Sequence, residues 1–312
     1  MTAPVTVASV SDGPRVTVDT LVGNPLMIPV RILELLDNAF LTDVVFRDAG
    51  TNTNGLVSYE ESTPLFLGAD VEEVAEFGEI PVGVGQRGLP RLAVGLKKGL
   101  GVRVSREMRD ENKLDDVNRQ ITQLTNTMVR AEERVLRTAM SNPAIPSIAA
   151  TAAWGTGTSR ARRDILNAVE EINGATPDNA TEEDVLGFEA DTLIVPGGIA
   201  PALLDDEDIL RVYVGDLAAE SIAYTGALPR QLLGLDPLRT RFWPADRALV
   251  LQRGVVGFRS DTRALQVTPL YGEGNGPNGG PTESWRADAT RKRVIGVDQP
   301  KGACWITGIT EP

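Results

Sequence analysis

The chain has 312 residues, 42% hydrophobic and 24% charged, an ordinary globular composition whose length alone suggests about two domains. With 31 basic and 43 acidic side chains its net charge is −12, which argues against a free-standing DNA binder and favours solubility. There is no histidine and one cysteine, Cys304, which excludes imidazole metal sites, Ser-His-Asp triads, internal disulfides, zinc ribbons and iron–sulfur clusters.

Cys304 reads as a small buried hydrophobe. No apolar run reaches the ~18 residues that a membrane span needs. Met1 to Val10 lack the basic start and apolar core of a signal peptide. Synthesis in a reducing cytosol is therefore expected, and Asn179-Ala180-Thr181 is then a chance sequon.

Residues 1–28 show no sustained periodicity. Gly13, Pro14, Gly23, Asn24 and Pro25 break any element, and the stretch reads as an extended arm. Behind Pro29, the residues Ile32, Leu33, Leu35, Leu36 and Phe40 sit near helical spacing and predict a short helix over 29–43. Residues 47–104 change character. Ile80, Val82 and Val84, then Leu92, Val94 and Leu96, then Leu100, Val102 and Val104 recur at every second position, the period of a strand. Folded back on itself, the segment makes a ribbon with arms up to about 80 Å long. A lone two-stranded ribbon is marginal in water, so this one is expected to lie on another surface, that of a neighbouring subunit.

The ribbon's charges are segregated. Residues 48–86 hold Asp48, Glu60, Glu61, Asp70, Glu72, Glu73, Glu76 and Glu79 with no Lys or Arg. Residues 87–113 hold Arg87, Arg91, Lys97, Lys98, Arg103, Arg106, Arg109 and Lys113 against Glu107, Asp110 and Glu111. Two readings stand side by side: cross-strand pairing of an acidic arm with a basic one, and complementary steering between subunits.

Leu114, Val117, Ile121, Leu124, Met128, Ala131, Val135 and Thr138 then alternate spacings of three and four, with Arg119, Arg130, Glu133, Arg134 and Arg137 on the other faces. This predicts an amphipathic helix of about 25 residues lying on a sheet, ended by Asn142 and Pro143. Residues 141–159, rich in Ala, Pro, Ser, Thr and Gly, read as a connection. A second helix is expected over 159–173, with Ile165, Leu166, Val169 and Ile172 inward and Gly174 ending it. A buried strand over 192–195 stops at Pro196-Gly197-Gly198, and a short helix follows near 200–204. Residues 210–260 alternate strands and turns, 263–271 make a further strand, and 272–281 form a loop. The chain closes with a strand pair, 284–298 with 303–309, folded around Pro300.

Motifs for chemistry fail on context. Gly83-Val84-Gly85-Gln86-Arg87-Gly88 matches the dinucleotide fingerprint, yet Pro90 and strand alternation follow where a helix is required. Gly274-Asn275-Gly276-Pro277-Asn278-Gly279 fails for the same reason. Asp205-Asp206-Glu207-Asp208 lacks the spaced ligands of a calcium loop and reads as a solvated turn or helix face. Carboxylate pairs for hydrolysis abound in any acidic chain, but with 5% aromatics no cleft signature accompanies them. The residues alone thus describe an α+β protein with projecting arms and favour assembly over catalysis.

The order of these segments resembles tailed-bacteriophage major capsid proteins of the Hong-Kong-97-like fold. The resemblance rests on the run from Gly55 through Pro81, on the basic re-entry Lys98 to Glu107 before the long helix, on Ala190 to Pro196, and on Arg293 to Pro300 with Trp305 to Gly308. It implies an N-terminal arm (1–28), a peripheral domain (29–46, 105–152 with its spine helix, and 261–312 with the C-terminal strands), an extended loop (47–104) and an axial domain (153–260). It further implies a non-enzymatic homo-oligomer, hexamers and pentamers tiling an icosahedral virion shell around double-stranded DNA held without sequence-specific contacts. Assembly would take place in the host bacterial cytoplasm, with no membrane, no metal and no cofactor.

Some members of that family begin with a scaffolding segment that a protease removes. Here the arm begins near Met1, so a separate scaffolding protein is expected, beside a portal protein and a possible decoration protein. Some members also cross-link a loop lysine. This loop has no lysine between Gly50 and Leu96, so no isopeptide bonds are expected. On this reading Glu72, Glu73, Glu76 and Glu79 are inter-subunit contacts, engaging Arg130, Arg134 or Arg137 of a neighbour. An encapsulin-like bacterial compartment shell, enclosing cargo enzymes, is the alternative that shares the fold.

Overall fold

Three buried hydrophobic clusters among the described residues and one long helix organise the fold. The computed structural model describes residues 17–37, 39–63, 67–177, 185–206, 209, 231–274 and 282–310. Its helices are α1 (Val18–Gly23), α2 (Met27–Leu36), α3 (Leu41–Val45), α4 (Arg106–Asp110), α5 (Leu114–Met140), α6 (Ala161–Asn173) and α7 (Ala200–Leu204). Its strands are β1 (Arg47–Thr51), β2 (Leu56–Glu61), β3 (Leu89–Val94), β4 (Leu96–Ser105), β5 (Ser147–Ala149), β6 (Thr192–Pro196), β7 (Asp236–Thr240), β8 (Arg247–Leu251), β9 (Gly257–Val267), β10 (Tyr271–Glu273), β11 (Ser284–Val297) and β12 (Ala303–Thr307). This is the mixed α+β architecture read from the sequence.

The first sheet is built on β11. Strand β4 runs antiparallel to it over Leu96–Ser105, while β9 and β10 pair with it and β1 joins β9 in parallel. The second sheet has the order β5-β12-β8-β6-β7, with β6 and β8 fully covered apart from one end of β8. Hairpin β2–β3 forms a small sheet of its own.

Helix α5 bridges two cores, and this explains a departure from its sequence pattern. Val117, Ile121, Leu124 and Met128 pack with Val102, Val104 and α2 beside the first sheet. Farther along, Leu136 and Met140, not Val135 and Thr138, turn inward to meet Ile194, Leu249, Ala303 and Trp305 of the second sheet. The stripe rotates because the partner changes. Trp305 Nε1 closes the helix by donating to the Met140 carbonyl at 2.9 Å.

Other expectations are corrected. Residues 1–16 lie outside the described residues, but 18–23 are helical rather than an extended arm. Thr17 caps α1 by accepting from the Thr20 N–H, and Val18 and Leu21 are buried. The helix expected over 29–43 is divided into α2 and α3. Strands 284–297 and 303–307 do not pair with each other. The turn at Pro300–Gly302 sends β12 into the second sheet, antiparallel to β8. The strand β9 starts at Gly257, after Val255 and Val256, and runs without a break to Val267. Asp206 is buried, accepting from the Ser159 hydroxyl and from the Ala161 N–H at the start of α6. Leu166 and Val169 of α6 are half-buried, with Ala161 and Ala168 inward instead. Residues 207–208 and the motif at 275–279 lie outside the described residues. As the sequence predicts, Gly83 to Gly88 is followed by a strand and not by the helix a dinucleotide site requires.

Candidate assembly surfaces

The base of the hairpin is anchored and its tip is not. Strands β2 and β3 pair from Leu56↔Val94 to Glu61↔Leu89. Their alternation turns Tyr59, Glu61 and Ala93 toward the body and leaves Leu56, Leu92 and Val94 exposed. Tyr59 meets Phe258 edge-on at 5.3 Å between centroids, and burial raises its hydroxyl pKa. The Glu61 carboxylate, almost wholly buried, accepts from Arg91 Nε at 2.6 Å and from the Asn142 amide. Ser62 N–H donates to the Asp298 carbonyl at 2.8 Å. Gly95, between β3 and β4, is a point of close approach: a Cβ there would lie 2.7 Å from the Val294 side chain.

Past that anchor the acidic arm pairs with no strand among the described residues. Between residues 67 and 88 the described chain holds one isolated bridge, Leu67↔Gly85. The alternation of Ile80, Val82 and Val84 therefore does not mark a strand. Pro81 and the intervening glycines leave it as irregular chain, with its apolar side chains in solvent. Val71 is 95% exposed, Phe77 99% and Val82 89%. Phe77 also adopts φ +67°, an uncommon conformation for a bulky residue. Glu72, Glu73, Glu76 and Glu79 stand exposed among these residues, and none forms an ion pair with a described residue of its own chain. Among the described residues, the ion pair between the acidic and basic arms is Glu61–Arg91, and much of the basic arm is strand β4 of the first sheet.

Arg130 and Arg134 are exposed on α5 and Arg137 is half-exposed. None of them pairs with a described residue. Arg134 differs from the other two in lining a groove of about 480 Å³ between α5, β4 and β11. The groove's apolar wall is Val94, Leu96, Val135, Ala139 and Ile295, and its polar wall is Lys98, Glu132, Arg134, Arg291 and Arg293. Lys98 Nζ donates to the Ala131 carbonyl at 3.2 Å. Glu132 is 4% exposed, and burial raises its carboxyl pKa against the lowering effect of Arg293 and Lys98.

Behind the groove lies an ionic network that sequence reasoning missed. Arg293 donates to Asp261 at 2.7 Å and to Asp43, and Arg259 reaches Asp43 at 2.8 Å. Arg291 lies 4.9 Å over the Phe40 ring, with its Nη2 at 3.5 Å from Asp43 and Asp261. Its buried Nε and Nη1 have no hydrogen-bond partner. The available signal was the pair Arg291 and Arg293 at strand period on β11, but their acids are far away in sequence. Cys304 is fully buried in the core of the second sheet, as expected, and burial pushes its thiol pKa up to about 12. Among the described residues no cluster of three or more acids or thiols could hold a metal, and no helix is long and apolar enough to cross a membrane.

Comparison with known proteins identifies this architecture. The family model described as phage capsid protein matches residues 91–306. Among solved structures, a phage-related protein from Bordetella bronchiseptica RB50 superposes with a TM-score of 0.59 at 13% identity, covering 91% of this chain and 97% of that one. The capsid of the cyanophage P-SCSP1u gives 0.59 at 12% identity, covering 86% and 87%. A virus-like particle from Pyrococcus furiosus gives 0.57 at 12% identity, covering 89% and 97%. At these identities the likeness establishes the fold. No curated protein sequence matches the chain.

Proposed function

This chain belongs to the phage capsid protein family, and we propose that it is the major capsid protein of a tailed phage. In this reading it self-assembles into hexamers and pentamers of an icosahedral shell around double-stranded DNA, as a structural subunit rather than an enzyme. The observation that carries the reading is the loop over 67–84. It holds Phe77, Val71 and Val82 almost fully in solvent on a chain segment that pairs with no strand among the described residues. Exposed apolar surface on this scale marks a protein interface.

Several finer features belong to the same proposal. The peripheral domain is 29–46, 105–152 and 261–312, the extended loop 47–104 and the axial domain 153–260; of the peripheral ranges, β5 and β12 pair within the second sheet. The four loop glutamates meet arginines on α5 of a neighbour. Exposed pairs contribute about 0–1 kcal/mol each, so the contact depends on several acting together. A scaffolding protein, a portal and a decoration protein would be the partners, and assembly would take place in the bacterial cytoplasm. The segregation of acids on the tip from cations on α5 and β4 supports this arrangement.

The fold shared with the Pyrococcus furiosus particle favours one second reading, a compartment shell enclosing cargo enzymes. Electron microscopy of purified protein at rising concentration tests both readings at once, since each requires closed shells. The contents of shells isolated from the native source separate them: packaged double-stranded DNA supports the first, and an enclosed enzyme the second.

A further inference from the structure

We infer that Arg160, Arg162 and Arg163, at the start of α6, form a contact for the phosphate backbone of double-stranded DNA. This rests on the proposed capsid role, which puts DNA against the subunit, and it gives that contact a place on the chain.

The patch is cationic without compensation. From Ser141 to Arg163 the sequence holds these three cations and no acid. All three are exposed, and none forms an ion pair with a described residue. The acids that touch this end of α6 are turned inward. Asp164 is buried and accepts from the Thr151 N–H and hydroxyl and from Trp154 Nε1. Asp206 is buried and accepts from the Ser159 hydroxyl and the Ala161 N–H. Asp205 is exposed, yet it pairs with none of the arginines.

The helix itself does not call for these charges. A helix is stabilised by acids in its first turn and cations in its last, because its N-terminal end is partially positive. Helix α6 carries Arg162 and Arg163 in its first turn, and Glu170 and Glu171 in its last turn with no cation there. Its one first-turn acid is Asp164, already held by Thr151 and Trp154. The order of charge is the reverse of the one the fold prefers, and conflicts of this kind mark functional positions.

The surroundings select a phosphate backbone over an acidic protein segment. Protein interfaces centre on apolar and aromatic side chains. Here no described residue from 141 to 177 exposes a large apolar side chain. The exposed flank is Gly155, Gly157 and Thr158, small residues and a hydroxyl that let a phosphate come close. Gly155, at φ +82°, seats this loop on α7, since a Cβ there would lie 2.8 Å from that of Ala202. The net charge of −12 repels DNA from the rest of the surface. A contact of three arginines is therefore weak alone and acts through repetition over many subunits around a confined duplex.

Fluorescence anisotropy of a short mixed-sequence duplex, titrated with the full chain below its assembly threshold, tests the assignment. Binding at low salt is expected to weaken as salt rises. Each arginine replaced is expected to flatten the slope of log K against log salt by about 0.9, so by about 2.7 for Arg160→Gln, Arg162→Gln and Arg163→Gln together. That triple variant is expected to melt no lower than the parent, because it removes adverse charges from the helix start, so lost binding is not lost folding. Arg87→Gln, Arg239→Gln and Arg263→Gln together remove three exposed arginines elsewhere and are expected to leave the slope unchanged. Three results overturn the inference: no duplex binding by the parent at low salt, a first triple variant that binds as the parent does, and equal loss in both triple variants.

Electron microscopy of the same proteins above the threshold keeps the inference apart from its premise. Shells are expected from the parent and from the Arg160, Arg162 and Arg163 variant alike. A variant that keeps duplex binding but forms no shells makes the patch a subunit contact, which overturns the inference and leaves the shell role standing. No shells from the parent defeats the shell role, and with it the reason to expect DNA here.

Discussion

Replacing Phe77 by Asn separates assembly from folding. The ring is 99% exposed, so the isolated chain gains nothing from it, and Asn accepts the positive φ of +67° at least as well. Unfolding of the unassembled variant should therefore stay within about 0.5 kcal/mol of the parent. If the ring is buried on a neighbour, burying it contributes about 1.5–3 kcal/mol. At 1.4 kcal/mol per factor of ten, the middle of that range corresponds to roughly 40-fold in the strength of each contact. Light scattering over a dilution series reads the threshold concentration for particle growth, and urea unfolding followed by circular dichroism reads the fold. The expected result is a threshold raised by about one and a half decades with an unchanged unfolding midpoint. An unchanged threshold, or a loss confined to folding stability, would refute the reasoning.

Further outcomes follow from the buried groups. Glu61→Ala removes the carboxylate that Arg91 and Asn142 share, at a cost of about 1–3 kcal/mol; Arg91 is half-exposed and can regain water. Faster tryptic cleavage after Arg87 and Arg91 would report the loosened hairpin base. Glu132 has its pKa raised by burial, so its ionisation disfavours the folded state. Its own contribution to stability is fully present below its ordinary value of 4.5 and is lost as pH rises through the raised folded value, and Glu132→Gln should abolish that component in pH-dependent unfolding curves. Cys304, with its thiol pKa near 12, should resist a maleimide in the folded chain and react once urea exposes it. Rapid labelling without denaturant would contradict its place in the core.

The legible parts of the sequence were those where a local period meets a single partner. The first half of α5, with Val117, Ile121, Leu124 and Met128, packs on one core and kept its pattern. The second half changed cores at Leu136, which no local period announces. The C-terminal strands were visible as strands, but two strands about a proline are as compatible with a crossover between sheets as with a hairpin. Ile80, Val82 and Val84 show the converse failure, because alternation marks a strand only where a partner lies alongside. Of the candidate contacts, the exposure of the four glutamates followed from a loop without a core. The groove joins Leu96, Val135 and Arg293, residues so far apart along the chain that only the tertiary fold assembles it.

Cryo-electron microscopy of the purified chain across its assembly threshold tests the central claim most directly. The account predicts closed icosahedral particles in which residues 70–80 of each subunit rest on an adjacent one. A monodisperse single chain at every concentration, with that loop folded against its own body and protected from protease, would contradict it.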